Sequence, residues 1–93
     1  MIVTFERVLE TLQGSFKMYN GPFQDSCHIY EYENYGHTEG LEVKINKSEQ
    51  TMELWQYLGS GYDPYMKKIT DDLEIIYKIV MCMEPNNGSR DVH

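Results

Sequence analysis

The sequence predicts an α+β fold with an N-terminal helix, a three-stranded antiparallel sheet and one or two C-terminal helices. Three patterns lead to this prediction. Apolar residues recur at helical spacing near the start of the chain, alternate with polar residues in its middle, and recur at helical spacing again near its end. The chain has 93 residues, which suits one domain. We expect a single domain over residues 1–84 and a flexible polar tail over residues 85–93.

A short helix is predicted to begin after Thr4, whose hydroxyl can accept a hydrogen bond from a free amide of the first turn. Gly14 suits its end, because glycine tolerates the backbone conformation found there. A short strand over residues 1–5 is the alternative, and the helical spacing argues against it. The apolar side chains that show this spacing are Phe5, Val8, Leu9 and Leu12.

Three runs of alternating side chains predict the strands, over residues 16–19, 27–34 and 41–46. Residues 20–22 read Asn-Gly-Pro and break the first run. Residues 35–40 contain two glycines and predict a loop. The second and third strands are therefore expected to form an antiparallel hairpin.

Residues 48–58 are compatible with two structures. As a helix, the segment has a cap at Ser48 and a stop at Gly59. As a strand, it alternates apolar side chains between two faces, and so short a run does not distinguish the two. We favour the helix because both its cap and its stop are present.

The last predicted element is an amphipathic helix of about five turns. Asp63 supplies an acidic cap, Pro64 takes the first helical position, and Pro85 ends the element. The β-branched residues of its second half would also suit a strand. The apolar stripe of the helix consists of Met66, Ile69, Leu73, Ile76, Val80 and Met83.

The charge balance limits the partners of this chain. Its 15 acidic and 8 basic residues give a formal net charge of −7. Direct binding to nucleic acid needs a basic surface, and an anionic membrane would repel the chain for the same reason. We expect neither of these partners. A basic protein surface or a cation is the expected partner.

The cysteines and the start of the chain indicate a cytoplasmic protein. Cys27 and Cys82 match no metal or redox spacing, and we expect two buried free thiols, with a single disulfide left open. Residues 1–10 lack the basic and apolar regions of a secretory signal. No apolar run approaches the roughly 20 residues that span a bilayer.

Neither an enzyme nor a cofactor site is expected. The soft or imidazole ligands outside the tail are Cys27, His28, His37 and Cys82. Cys27 and His28 are neighbours on a predicted strand and point to opposite faces, so they cannot share one metal ion without distortion. No nucleophile motif or glycine-rich phosphate loop is present.

The most informative feature is a stretch without lysine or arginine between Lys17 and Lys44. Its carboxylates suit a basic partner, and its tyrosines suit an interface because they lose little conformational entropy on binding. Taken singly, Tyr30 and Tyr32 could equally be core residues of a strand. The candidate partner-binding residues are Asp25, Tyr30, Glu31, Tyr32, Glu33, Tyr35, Glu39 and Glu42.

Strict alternation in the second strand puts Tyr30 and Tyr32 on one face, and Ile29, Glu31 and Glu33 on the other. On one strand face the two carboxylates lie about 6.5–7 Å apart. Successive phosphates of a nucleic-acid strand have a broadly similar separation. An acidic hairpin can therefore imitate a nucleic-acid backbone toward a basic groove.

The order of elements over residues 2–84 resembles that of some small phage-encoded anti-CRISPR proteins, a class without a common sequence motif. Several of these proteins act as nucleic-acid mimics on the basic channel of a Cas effector. The resemblance implies an inhibitor that docks on a nucleic-acid-binding site of its partner. The predicted last helix carries Lys67, Lys68 and Lys78, which argues against mimicry by the C-terminal half.

A homo-oligomeric structural or assembly module is the alternative function. The apolar stripe of the last predicted helix is wide for so small a protein, and a second copy could cover part of it. A homodimer would then form through that helix. The candidate interface residues are Ile69, Leu73, Ile76, Ile79 and Val80.

Overall fold

The computed structural model describes residues 2–59 and 65–86. In these residues it contains two helices and five strands, and neither helix is long and apolar enough to cross a membrane. The predicted N-terminal helix, antiparallel sheet and C-terminal helix are confirmed, but the prediction of three strands is wrong. The elements in chain order are α1 (Phe5–Ser15), β1 (Met18–Asn20), β2 (Asp25–Asn34), β3 (His37–Asn46), β4 (Thr51–Gly59), β5 (Tyr65–Thr70) and α2 (Leu73–Cys82).

The five strands form one antiparallel meander in the order β1-β2-β3-β4-β5. Each strand pairs with its neighbour in sequence, so every connection in the sheet is local. The first strand begins at Met18, later than predicted, because Phe16 is the C-cap of α1 and packs into the core. The start of the first helix agrees with its prediction, since the hydroxyl of Thr4 accepts from the amide of Arg7, but the helix continues past Gly14 to Ser15.

The helix favoured for residues 48–58 is a strand, β4. Ser48 lies in the turn that joins β3 to β4, where its hydroxyl donates to the side-chain oxygen of Asn46 over 2.8 Å. The amide of Glu49 donates to the same oxygen. Met52 and Leu54 then alternate into the core while β4 pairs along all of β3. Pairing with the neighbouring strand outweighs the local capping signals.

The long last helix of the prediction consists of two elements. Residues Tyr65–Thr70 form β5, which pairs with β4, and the helix α2 begins only at Leu73. Asp72 caps this helix, since its carboxylate accepts from the amides of Glu74 and Ile75. The predicted cap at Asp63 and Pro64 lies outside the described residues. Without β5, one edge of β4 would lack backbone partners, which favours the strand.

The core lies between the two helices and one face of the sheet. Alternate residues of β2, β3 and β4 point toward α1 and α2, and the paired strands keep these side chains in register. The opposite face has no helix among the described residues. The buried core residues are Phe5, Val8, Leu12, Phe16, Cys27, Ile29, Val43, Ile45, Met52, Leu54, Ile76 and Val80.

The two cysteines are free thiols in different environments. Cys27 is fully buried in β2, whereas Cys82 is exposed at the end of α2, so the prediction of two buried thiols is wrong for Cys82. Burial and, to a smaller extent, the nearby carboxylate of Glu42 together raise the pKa of Cys27 to about 12. A thiol with so high a pKa is a poor nucleophile at neutral pH.

We expect a thiol reagent to modify the folded protein once, at Cys82. A Cys82→Ser variant should react slowly in buffer and rapidly in denaturant, because Cys27 is then the remaining thiol and unfolding exposes it. Mass spectrometry after iodoacetamide treatment measures both results. Rapid modification of Cys27 in the folded Cys82→Ser variant would contradict the burial described above.

Candidate binding surface

The open face is the side of the sheet opposite the helices. Side chains of paired strands share a face, so the register defines its members. Across β3, Gly40, Glu42 and Lys44 point to this face, while Leu41 and Val43 point toward the helices. Gly40 is the one buried residue on the described part of the open face, and the other residues there are partly or fully exposed.

A bulge at Ile29 decides which residues of β2 reach the open face. His28 pairs with Glu42 and Tyr30 pairs with Leu41, so Ile29 is an extra residue between them. Ile29 stays buried on the helix side, whereas strict alternation assigned it to the face of the two carboxylates. The bulge therefore places Ile29 on the opposite face of the sheet from Glu31 and Glu33.

Three carboxylates form an acidic row along the open face: Glu33, Glu31 and Glu42. Glu31 pairs with Gly40, and Glu42 stands two residues further along β3, so Glu31 and Glu42 are diagonal neighbours. Beside the row lies the imidazole of His28. Its Nδ1 is 3.7 Å from Glu31 Oε1, and its Nε2 is 3.9 Å from Glu42 Oε2.

Tyr57 of β4 lies on the open face beside the acidic row. Its hydroxyl is 3.4 Å from Nδ1 of His28, and the two ring centroids are 5.5 Å apart. The ring of Tyr19 flanks His28 with a centroid distance of 5.6 Å. Three aromatic rings from three strands thus meet beside Glu31 and Glu42. Predictions from the sequence did not include His28, Tyr19 or Tyr57 in the site.

Gly40 makes room for this arrangement. A β-carbon at this position would overlap the hydroxyl of Tyr57 and the backbone carbonyl oxygen of Tyr30. Glycine inside a strand often marks such a close approach. The sequence pattern predicted a loop over residues 35–40, but β3 begins at His37, so this signal for the position of Tyr57 was missed. The ring of Tyr57 therefore depends on the absence of a side chain at Gly40.

The surroundings of Tyr57 oppose its ionisation. Burial, followed by the charges of Glu31 and Glu42 and the neighbouring Tyr19, together raise the pKa of Tyr57 to about 12. The phenol therefore stays neutral near pH 7 and keeps its proton for hydrogen bonding. The acidic row is thus bordered by a neutral donor.

The predicted tyrosines lie away from the acidic row. Tyr30 and Tyr32 point to the helix side of the sheet, yet they are 41% and 45% exposed. Tyr35 lies in the turn between β2 and β3, where its φ of 49° is in the left-handed region, and it is fully exposed. These three side chains surround the end of the hairpin and are available to a partner.

Two predicted carboxylates are not part of the acidic row. Asp25 lies at the opposite end of β2, where Lys47 Nζ is 3.1 Å from its Oδ2. Glu39 pairs with Tyr32 on the helix side of the hairpin. The structure therefore brings Glu31, Glu33 and Glu42 together and leaves Asp25 and Glu39 elsewhere.

The lysines of the open face make their contacts away from the turn between β2 and β3. Lys44 Nζ lies 4.3 Å from the ring centroid of Trp55. Lys68 Nζ lies 3.6 Å from Glu53 Oε2 and 3.8 Å from Asp71 Oδ2. These lysines thus offset negative charge in the middle of the sheet, and the end of the hairpin stays acidic.

The five residues of the predicted oligomer interface do not form one surface. Ile76 and Val80 are buried in the core of the chain itself, so they are not available to a second copy. Leu73 and Ile79 are partly buried against the same core. Ile69 belongs to β5, where it is 45% exposed. The stripe was drawn for one long helix, and the structure divides it between a strand and a helix.

Within residues 2–59 and 65–86, no group of three or more His, Cys, Asp or Glu side chains is arranged to hold a metal ion. A cavity of about 320 Å³ lies beside the acidic row, lined by residues that include His28, Glu42, Tyr57 and Met66. Comparison with protein-family models, curated proteins and solved structures found no match to this chain. The function is therefore inferred from the chemistry of the surface itself.

Substitution of Gly40 by alanine tests the packing of Tyr57. We expect Gly40→Ala to lower the free energy of unfolding by about 1–3 kcal/mol, because the new methyl group meets a backbone carbonyl that cannot move aside alone. Gly14→Ala in α1 is the control and should be neutral or slightly stabilising, since a β-carbon there meets nothing within 4 Å. Urea unfolding measures both. Equal stability of Gly40→Ala and the native protein would contradict the described contact.

The ionisation of Tyr57 can be followed by tyrosinate absorbance between pH 9 and pH 13. We expect one late transition in the native protein, at a pKa of about 12, and its loss in Tyr57→Phe. The folded protein then holds a proton that the unfolded chain has released, so stability should fall as pH rises above the usual tyrosine pKa of 10.0. Identical late titration in Tyr57→Phe would contradict this assignment.

Proposed function

We propose that the chain is a small acidic protein-binding inhibitor, of the anti-CRISPR or a similar anti-defence type, that docks on a basic, nucleic-acid-binding site of a partner protein. The observation that supports this function is the acidic row of Glu33, Glu31 and Glu42 on the open face of a sheet. Carboxylates on a solvent-facing sheet, with exposed tyrosines at the same end, suit recognition of a cationic surface.

The charge of the acidic row is not cancelled by lysine or arginine within the described residues. Glu31 and Glu42 pair with the imidazole of His28 alone. Lys47 and Lys68, by contrast, are paired with other carboxylates. The field of the row therefore extends into solvent, where it can steer a basic partner during association.

The spacing of the carboxylates supports mimicry of a nucleic-acid backbone. Glu31 and Glu33 are two residues apart on one face of β2, which separates them by about 6.5–7 Å. That spacing is broadly similar to the spacing of successive phosphates. Because a paired hairpin holds them, this chain need not order a flexible segment of its own on binding.

The exposed tyrosines at the end of the hairpin would supply apolar contact beside the charges. Tyr30, Tyr32 and Tyr35 each present a large ring with few rotatable bonds. Such rings are common anchors of protein interfaces. The proposed partner is therefore a cytoplasmic protein with a basic groove and apolar surface at its border, and neither nucleic acid nor a membrane binds directly.

Charge reversal tests this function. We expect Glu31→Lys/Glu33→Lys to lose about tenfold or more of the binding to a basic protein captured from a nuclease-treated bacterial lysate, because two attractions become repulsions. The control is Glu10→Lys/Glu49→Lys, which changes the net charge equally at exposed positions in α1 and in the turn before β4. Asp71 and Asp72 are unsuitable controls, since Asp71 pairs with Lys68 and Asp72 caps α2.

The readout is the salt concentration at which the captured protein elutes, followed by competition with its own nucleic acid. Elution should shift to lower salt for the hairpin variant alone, and added nucleic acid should displace the chain from its partner. Equal elution of the two variants would contradict the role of the hairpin. Joint binding of nucleic acid and this chain to the captured protein would contradict mimicry.

The homo-oligomeric alternative retains one supporting observation, the exposure of apolar residues on α2. Ile75 is 44% and Met81 is 59% exposed. Sedimentation analysis decides between the two functions, with Ile75→Glu as the test variant because Ile79 packs against the core. A dimer that Ile75→Glu dissociates would support the assembly module, whereas a monomer at all concentrations would exclude it.

A further inference from the structure

The second strand of the sheet is much longer than the first strand that pairs with it. The short strand β1 pairs only with residues 25–27 of β2, whereas β3 pairs with β2 as far as Asn34. Beyond Cys27, the outer edge of β2 has no strand partner among the described residues. A strand edge of this kind carries backbone donors and acceptors that another chain can pair with.

Asn86 marks the point where this open edge begins. Its side-chain nitrogen donates to the carbonyl oxygen of His28 over 3.1 Å, and the amide of Lys17 donates to its side-chain oxygen over 3.1 Å. Its own amide donates to the carbonyl oxygen of Ser15 over 2.7 Å. Asn86 therefore covers one more residue of the β2 edge than β1 does, namely His28, and it covers none of the residues beyond it.

A groove of about 690 Å³ lies next to this point, between residues 29–31 of β2 and residues 82–86 at the end of α2 and just after it. It leads onto the edge of residues 30–34, which a five-residue segment would follow for about 16 Å. The exposed side chains along that edge alternate between Tyr30 and Tyr32 on the helix side and Glu31 and Glu33 on the open face.

We propose that the edge of β2 over residues 30–34 binds an extended, basic segment of the partner as an added strand. This inference rests on the proposed function and specifies how the partner binds. The segment has basic residues alternating with apolar ones. Its lysine or arginine side chains lie beside Glu31 and Glu33, and its apolar side chains lie beside Tyr30 and Tyr32.

The charge of the edge selects this occupant over a second copy of the chain. Two β2 edges placed together would bring Glu31 and Glu33 close to the same residues of the other copy, and like charges on neighbouring strands are destabilising. At the opposite side of the sheet, the edge strand β5 carries Lys67 and Lys68. That edge repels a basic segment, so the segment should bind at β2 alone.

The test uses the full chain and a capped peptide of about eight residues in which lysine and valine alternate. In hydrogen-exchange NMR, alternate amides of residues 30–34 should gain about tenfold or more protection when this peptide is added, because a strand turns every second amide to its edge. The matched peptide has the same charges but N-methyl groups on alternate backbone nitrogens. It should bind at least about tenfold more weakly, since it cannot complete the ladder.

Charge-neutral variants supply the matching control in the protein. Glu31→Gln/Glu33→Gln should weaken binding of the lysine–valine peptide by about tenfold, while Glu10→Gln/Glu49→Gln leaves it unchanged. Equal affinity for the two peptides would overturn the inference. So would new protection at β5 in place of β2, or full protection of the β2 edge before peptide is added.

The outcomes of this test separate the inference from the proposed function. If the N-methyl peptide binds equally well and the hairpin charge reversal still releases the captured partner, the acidic row binds through its charges and the added strand is wrong. If the peptide pairs with β2 but charge reversal leaves capture unchanged, the edge binds basic segments and the proposed inhibitor function is wrong.

Discussion

The bulge at Ile29 is the feature on which the candidate surface depends. It lets β2 bury Cys27 and Ile29 against the helices and then turns the following glutamates to the opposite face. With unbroken alternation, Glu31 would point to the same face as Ile29. Because Ile29 is buried in the core, the charge of Glu31 would then be placed beside apolar side chains, which is costly. One additional residue thus lets the same strand contribute side chains both to the apolar core and to the acidic surface.

The acidic surface also depends on the strands beside it. Glu31 and Glu42 are held on either side of His28, and the ring of Tyr57 reaches this group because Gly40 has no side chain. Each of these residues comes from β2, β3 or β4, so the meander itself assembles the cluster. A change in register between any two strands would disperse it.

The sequence was sufficient for elements whose signals are local. The helix α1 has its cap at Thr4 and its apolar stripe, and β3 has clean alternation from Leu41. It was insufficient where pairing between strands decides: a cap-like Ser48 precedes β4, and β5 supplied the first turns of an apparent long helix. A bulge has no clear pattern in one sequence, so the face of Ile29 was misassigned, although the acidic character of the hairpin was visible from composition.

The position of Asn86 in the chain has a consequence for folding during synthesis. This residue lies 58 positions after the His28 carbonyl that it protects and 69 positions after the Lys17 amide that it accepts from. A ribosome synthesises the described strands and both helices before it reaches Asn86, so the carbonyl oxygen of His28 lacks this partner until Asn86 emerges. The first backbone group of the β2 edge beyond β1 is thus covered only by a residue that follows all the described helices and strands in the chain.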